Sequence, residues 1–264
     1  FTSKKKDPLT GGIFLILSFL LLFHEISIIN KLIILVFYLI GFFSDIKFLK
    51  SPFLRLLFQI LLILIFLSYN QILLENTRII LVDIILKNKI WNYIFLIFCI
   101  SIVVNGTNFI DGVNCNVIGY YTIVTLILYK LNIYDNSFLE FNTILAWIII
   151  LIVVYILNFS NKLYLGDNGS YFLGFIYSYF LITYYLENQH LSPFFIILLL
   201  WYPAFENLFS LMRRSYKKKN VSAADKLHLH QLIFRYLKQK RVVDDKKTNT
   251  FTSLIILICN VPAF

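Results

Sequence analysis

The sequence predicts an all-α integral membrane protein, a helical bundle of about nine spans, on three observations. Of its 264 residues, 59% are hydrophobic and 14% are charged, and the mean hydropathy is +0.77. A soluble domain is about 45–50% apolar and about 25% charged. An apolar excess of this size cannot be hidden in one globular core whose surface still faces water. The apolar residues are also gathered into runs, and the basic residues fall mainly in alternate segments between them. The chain reads as one polytopic unit over residues 1–264, without tandem repeats or a separate soluble domain. It opens on Phe1 and its last apolar run stops at Phe264, so it is expected to be truncated at both ends.

Taken in order, the runs are Gly11–Phe23, Leu32–Phe43, Phe53–Tyr69, Trp91–Val104, Val117–Tyr129, Thr143–Asn158, Tyr171–Leu186, Pro193–Met212 and Phe251 onward. Several are shorter than the ~20 residues of a full crossing, but apolar flanks such as Ile26–Ile29 extend them. The segment Leu74–Lys89 reads as a loop with a short hairpin at Arg78–Val82. Phe1–Thr10 is polar and basic and lacks the pattern of a cleavable signal. The three cysteines show no metal or disulfide spacing.

Nine spans divide the polar segments into two sets. One holds Lys4, Lys5, Lys6, Lys47, Lys50, Arg55, Lys162 and the twelve Lys/Arg from Arg213 to Lys247; the other holds Lys31, Arg78, Lys87, Lys89 and Lys130. The positive-inside rule puts the first set in the cytoplasm. The net charge of +10 is thereby read as membrane orientation rather than affinity for nucleic acid.

The polar clusters with chemical potential fall on that same side. Asn105, Asn108 and Asp111 are spaced by three, one stripe on a helix, and Gly112 follows. Polar groups at a membrane boundary are costly unless paired, and often mark function. In Leu165–Ser170, Gly166 and Gly169 bracket Asp167 and let backbone approach a ligand closely; Ser170 is expected to cap the next span. A carboxylate set among apolar spans suits Mg²⁺, which prefers one or two carboxylates plus phosphate oxygens. Asp225 is expected to cap an amphipathic interfacial helix that carries Leu229, Leu232, Ile233, Tyr236 and Leu237. His228 and His230, two apart, would face different ways on that helix. A shared metal is then disfavoured, and donation to a phosphate suits them better. Ser44-Asp45 closes the second run.

Together these strings resemble the polyprenyl-phosphate N-acetylhexosamine-1-phosphate transferase superfamily, which includes the phospho-N-acetylmuramoyl-pentapeptide translocase. Asp7-Pro-Leu-Thr10-Gly11-Gly12 is similar to the family's Pro-Thr-x-x-Gly-Gly. Its Asn-x-x-Asn-x-x-Asp-Gly falls on Asn105, Asn108, Asp111 and Gly112. Its Gly-Asp-x-Gly-Ser-x-x-Leu-Gly corresponds to Gly166–Gly174, and its Asp-x-x-His-x-His to Asp225, His228 and His230. That last form resembles the GlcNAc-type branch. Pro203, Glu206, Asn207, Arg213 and Arg214 are similar to a family span ending in two arginines, with Glu where Asp is usual. Ser44 stands where the family usually has the first of two aspartates, and Asn114-Cys115 lacks the family's second glycine.

The resemblance implies transfer of a sugar-1-phosphate, an N-acetylhexosamine-1-phosphate, from a UDP-sugar to undecaprenyl phosphate with release of UMP. The setting would be a bacterial inner membrane with the site facing the cytoplasm, at the first membrane step of a cell-envelope glycan such as O-antigen or teichoic acid. It implies Mg²⁺, or Mn²⁺ in its place, held by Asp167 with Asp45 near it, and it allows a homodimer. Asp45, Asp111, Asp167, His228 and His230 would be catalytic. Asn105, Asn108 and Asp111 would hold the nucleotide, Tyr164 would stack on uracil, and Thr10 and Asp225 would contact substrate. The alternatives are an inactive, degenerate relative and a secondary transporter. Against the transporter, the polar groups lie at one face and no inverted repeat is visible.

Overall fold

The computed structural model describes residues 10–135, 140–188, 190–216, 227–240 and 248–260. Among these are twelve helices and no strand: α1 (Gly11–Leu22), α2 (Ile28–Asp45), α3 (Pro52–Tyr69), α4 (Ile80–Leu86), α5 (Lys89–Ile110), α6 (Asn116–Asp135), α7 (Phe141–Phe159), α8 (Gly166–Glu187), α9 (Pro193–Leu199), α10 (Trp201–Tyr216), α11 (Leu229–Lys240) and α12 (Thr248–Asn260). Within the described residues every apolar run falls on a helix, and Pro193–Met212 on two. The helices α2, α3, α5 and α7 are long and apolar enough to cross a membrane, and α9 and α10, bent by 77° at their junction, are so only when taken together. The apolar helices α1 and α12 and the Asn116–Leu131 part of α6 are shorter. The protein is a multi-span helical membrane protein.

Local chemistry sets the helix starts. Ser27 accepts the Asn30 N–H at 3.3 Å and opens α2; Ser51 accepts the Leu54 N–H at 3.4 Å ahead of Pro52; Asn88 accepts the Ile90 N–H at 2.9 Å and opens α5. The expected hairpin at Arg78–Val82 is absent, and α4 takes its place. Asp83 turns back to accept the Thr77 N–H at 2.7 Å and its hydroxyl at 2.6 Å, which closes a helical turn rather than pairing strands. The expected cap at Ser170 is also displaced: α8 begins at Gly166, so Ser170 is its fifth residue, just past the first turn, and its hydroxyl donates back to the Gly166 carbonyl at 2.8 Å.

The 22-residue α8 is the core of the bundle, packed against α1, α2 and α5 and buried along most of its length. Phe37 of α2 stacks on Phe175 at 4.0 Å, Phe19 stacks on Phe23 at 4.6 Å, and Trp147, Phe172 and Phe180 meet that second pair edge-on or tilted. Lipid is as apolar as these rings, so shape and internal hydrogen bonds hold the helices together rather than water exclusion. The Tyr177 hydroxyl meets Thr125 and accepts from Trp147 Nε1 at 3.3 Å, leaving no polar atom of that trio exposed to hydrocarbon. The bend between α9 and α10 is clamped from α6. The Tyr120 hydroxyl donates to the Leu199 carbonyl at 2.9 Å and accepts the Tyr202 N–H at 3.4 Å across the break.

Polar groups collect at the two ends. At one, Asn30 and Asn70 exchange reciprocal amide bonds of 2.9 Å, and Arg78 donates to the His190 and Leu191 carbonyls. At the other lie the ends of α2, α5 and α10 and the starts of α3, α8 and α11.

Candidate active site

The first half of the site is built on the N-terminus of α8. Its cap position, Leu165, offers no side-chain cap. Asp45, the last residue of α2, supplies one from outside: Oδ1 accepts the Asp167 N–H at 3.0 Å and Oδ2 the Asn168 N–H at 3.1 Å. A carboxylate placed on the free amides of a helix start also complements the helix dipole. The approach is close. A Cβ on Gly41 would stand 2.4 Å from the Asp167 carbonyl, and one on Gly12 would stand 1.8 Å from Asn168 Oδ1. Gly11 donates its N–H to the Tyr164 carbonyl at 3.0 Å. The glycines beside Thr10 thus seat α1 on the same turn, while Thr10 itself is exposed.

Asp167 is held from three helices. Its Oδ1 accepts Asn108 Nδ2 at 2.8 Å; its Oδ2 accepts the Ser44 hydroxyl at 2.5 Å and Arg55 Nη1 at 3.1 Å. The same Nη1 donates to Ser44 Oγ at 2.5 Å, so Ser44 relays between guanidinium and carboxylate. Asp111, the C-cap of α5, accepts the Ser170 hydroxyl at 3.0 Å. Burial pushes the Asp111 carboxyl well above the usual carboxylate range, against the pull of Ser170 and with the help of the Asp167 and Asp45 charges. Of these carboxylates Asp167 alone pairs with the Arg55 guanidinium, at 3.1 Å, and Asp45 feels its charge. The asparagine stripe splits: Asn108 and Asp111 face α8, whereas Asn105 donates to Gln59 Oε1 of α3 at 2.9 Å. The Tyr164 hydroxyl donates to Asn161 at 3.3 Å, one turn before α8.

The second half holds the histidines. His228 is the residue before α11, and its carbonyl accepts the Gln231 and Leu232 N–H groups. Because its backbone is not yet helical, the His228 and His230 rings do not diverge as expected on a helix. They stack 5.7 Å apart and 3° from parallel. Phe109 lies 5.2 Å from the His228 ring, and the Arg214 guanidinium stands 5.7 Å from the Phe109 centre. Glu206 of α10 accepts at His228 Nδ1, 2.9 Å away. His230 packs on Gly112, where a Cβ would stand 1.9 Å from its Nε2. Burial pushes the His230 imidazole down to about 4, His228 adds to the fall, and Glu206 opposes it. Its Nδ1 is buried without a hydrogen-bond partner among the described residues. Asp111-Gly112 joins the halves, the acid bonded to α8 and the glycine under His230. Asp225 lies outside the described residues.

Three positions of the candidate site were not legible as such. Arg55 counted only as loop charge and Ser44 only as a departure, although a lone Arg in the first turn of an apolar span is itself a signal. Glu206 carried no expected role. Cys115, where the family's second glycine is missing, has φ 67°, the left-handed backbone that glycine adopts freely. The Asn158 side chain holds it there, accepting the Cys115 N–H at 2.5 Å.

Residues 27–185 match the family model described as glycosyl transferase family 4. The chain is also similar to a probable undecaprenyl-phosphate N-acetylglucosaminyl 1-phosphate transferase of Bacillus subtilis (strain 168), 30% identical over 143 residues. That stretch is 51% of this chain and 38% of the relative, so the chain spans well under half of the relative's length. A matched region that runs from α2 through most of α8, and so contains Asp45, Arg55, Asn108, Asp111 and Asp167, places this chain in glycosyl transferase family 4.

Proposed function

We propose that this chain is the membrane-embedded body of an enzyme that moves a sugar-1-phosphate from a UDP-sugar to undecaprenyl phosphate, releasing UMP. The observation that carries this reading is the convergence of Asp45, Asp111 and Asp167, from three different helices, at one end of an apolar bundle, with His228 and His230 alongside. A lipid and a water-soluble nucleotide can meet only at such an end. The cytoplasmic assignment of that end rests on its basic segments.

In the reaction, a phosphate oxygen of the lipid attacks the sugar-linked phosphorus of the UDP-sugar. The bond from that phosphorus to the bridging oxygen breaks, and UMP leaves with the electron pair. Such transfers depend mainly on positioning and electrostatics. The lipid phosphate has a second pKa near 6, so it arrives largely dianionic and needs no essential base. The paired histidines, with Arg214 beyond Phe109, would donate to phosphate oxygens.

The residues present suit Mg²⁺. Among the described residues no three acids, histidines or cysteines stand close enough to cage a metal. Mg²⁺ is commonly held by one or two carboxylates with phosphates and water completing its shell. Asp167 would be its first ligand. Asp111, which among the described residues accepts a hydrogen bond from Ser170, suits the second place, with Asp45 behind it on the α8 amides. Bound there, the ion would neutralise the diphosphate.

The test uses membranes carrying the full-length gene product, incubated with undecaprenyl phosphate and a panel of labelled UDP-sugars. Label should enter the lipid fraction for at least one sugar. Asp167→Asn should abolish that while leaving membrane insertion intact. Near-normal transfer by the variant at saturating Mg²⁺ would reduce Asp167 to a helix-start residue.

A further inference from the structure

Glu206 is a carboxylate to which the reaction as written gives no task. It is 4% exposed and His228 is 6% exposed. Both of its oxygens are committed to the start of α11: Oε2 to His228 Nδ1 at 2.9 Å, and Oε1 to the Leu229 N–H at 2.8 Å. Burying a carboxylate is costly unless it is paired and hydrogen-bonded. A neutral glutamine could accept the Leu229 N–H equally well, so a mere tie between α10 and α11 does not call for the charge. The imidazole does call for it. A carboxylate facing Nδ1 accepts the proton on that nitrogen, fixes the ring's orientation, and supports the doubly protonated ring, whose Nε2–H is then the donor left for a phosphate. The ring cannot swing away, because Phe109 lies against it at 5.2 Å and His230 is stacked on it at 5.7 Å.

We infer that Glu206 is a positioning residue of the transfer reaction: it holds His228 with Nδ1–H turned toward α10 and so presents Nε2–H to the phosphates of the sugar nucleotide. This rests on the transferase reading above. Glu206 does not touch substrate; it acts through His228. A glutamine there can keep the bond to Leu229 but brings no charge to Nδ1–H, so the doubly protonated ring that donates from Nε2 loses its support.

The experiment compares full-length wild type, Glu206→Gln, Glu206→Asp, His228→Ala and the Glu206→Gln/His228→Ala double variant. Melting and steady-state kinetics are measured for each with the active UDP-sugar. Glu206→Gln should melt within a few degrees of wild type, raise KM for the UDP-sugar about tenfold or more, and lower kcat less. Glu206→Asp, which keeps the charge but is one methylene shorter, should recover part of the loss. In the His228→Ala background Glu206→Gln should cost nothing further. Wild-type KM in Glu206→Gln, or a loss that adds in full to that of His228→Ala, overturns the inference and leaves the transferase reading intact. Should the glutamine variant not fold, Glu206→Asp carries the test: a raised KM at unchanged melting supports the assignment, and an unchanged KM overturns it. A wild type that transfers from no UDP-sugar overturns the transferase reading, and the assignment falls with it.

Discussion

Asp45→Ala is expected to destabilise the protein as well as inactivate it, because Asp45 caps α8 from another helix. The variant removes a charged acceptor from two backbone N–H groups, those of Asp167 and Asn168. Asn168 is 1% exposed, so water cannot replace the lost partner there, and an orphaned buried N–H costs about 1–3 kcal/mol. Asp167 is partly exposed, and its amide can turn to water or accept a weaker cap. Loss of a cap alone costs about 1–2 kcal/mol, and loss of a charge at a helix start up to about 1 kcal/mol. These effects overlap, so the sum is about 2–4 kcal/mol. Asp45→Asn should lose nearly as much, since its amide nitrogen turns a donor toward one of the two donors. The assay is thermal denaturation of full-length protein in detergent, with and without Mg²⁺. The midpoint should fall by about 5–10 °C in both variants, whatever the metal. Unchanged melting with lost transfer would mean that Asp45 serves only the reaction and the cap is not made.

Full-length protein with its natural Ser44 is expected to be active, with a rate rising through about pH 6 as the lipid phosphate loses its second proton. Ser44→Ala removes one of three donors to Asp167 and should slow transfer about tenfold, far less than Asp45→Ala; inactivity of the wild type reversed by Ser44→Asp would refute both statements. At position 115 the left-handed backbone costs a non-glycine residue about 1–2 kcal/mol, so Cys115→Gly should be more stable than Cys115→Ala by about 1 kcal/mol despite its smaller side chain; the opposite order in melting would show that the strain is not there. The His230 pKa of about 4 lies below the ordinary 6.5, so the native ring stays neutral where the unfolded one charges. Its stabilising contribution is present above about pH 6.5 and is lost at about 1.4 kcal/mol per unit as pH falls toward 4. Melting curves of wild type and His230→Gln should converge on acidification, and parallel curves would refute the shift.

Composition and the spacing of apolar runs were enough to determine the helical membrane class and the place of each principal helix. These signals are local: a run of about twenty apolar residues has no other way to satisfy its backbone in lipid. The motif residues were legible for a similar reason, since Asn108, Asp111, Asp167 and the histidines are costly at a membrane boundary unless they act or pair. What those residues pair with was decided only by tertiary structure. That Asp45 caps α8, that Ser44 bridges Arg55 to Asp167, and that Glu206 holds His228 are contacts between residues 11 to 123 positions apart. No periodicity encodes a partner at that distance. Gly12 and Gly41 show the division well: the sequence presents them as small residues in apolar helices, and only the packing shows that a Cβ at either would collide with the first turn of α8. The same holds for Cys115, whose left-handed backbone comes from the Asn158 side chain that receives its N–H and not from its own preference.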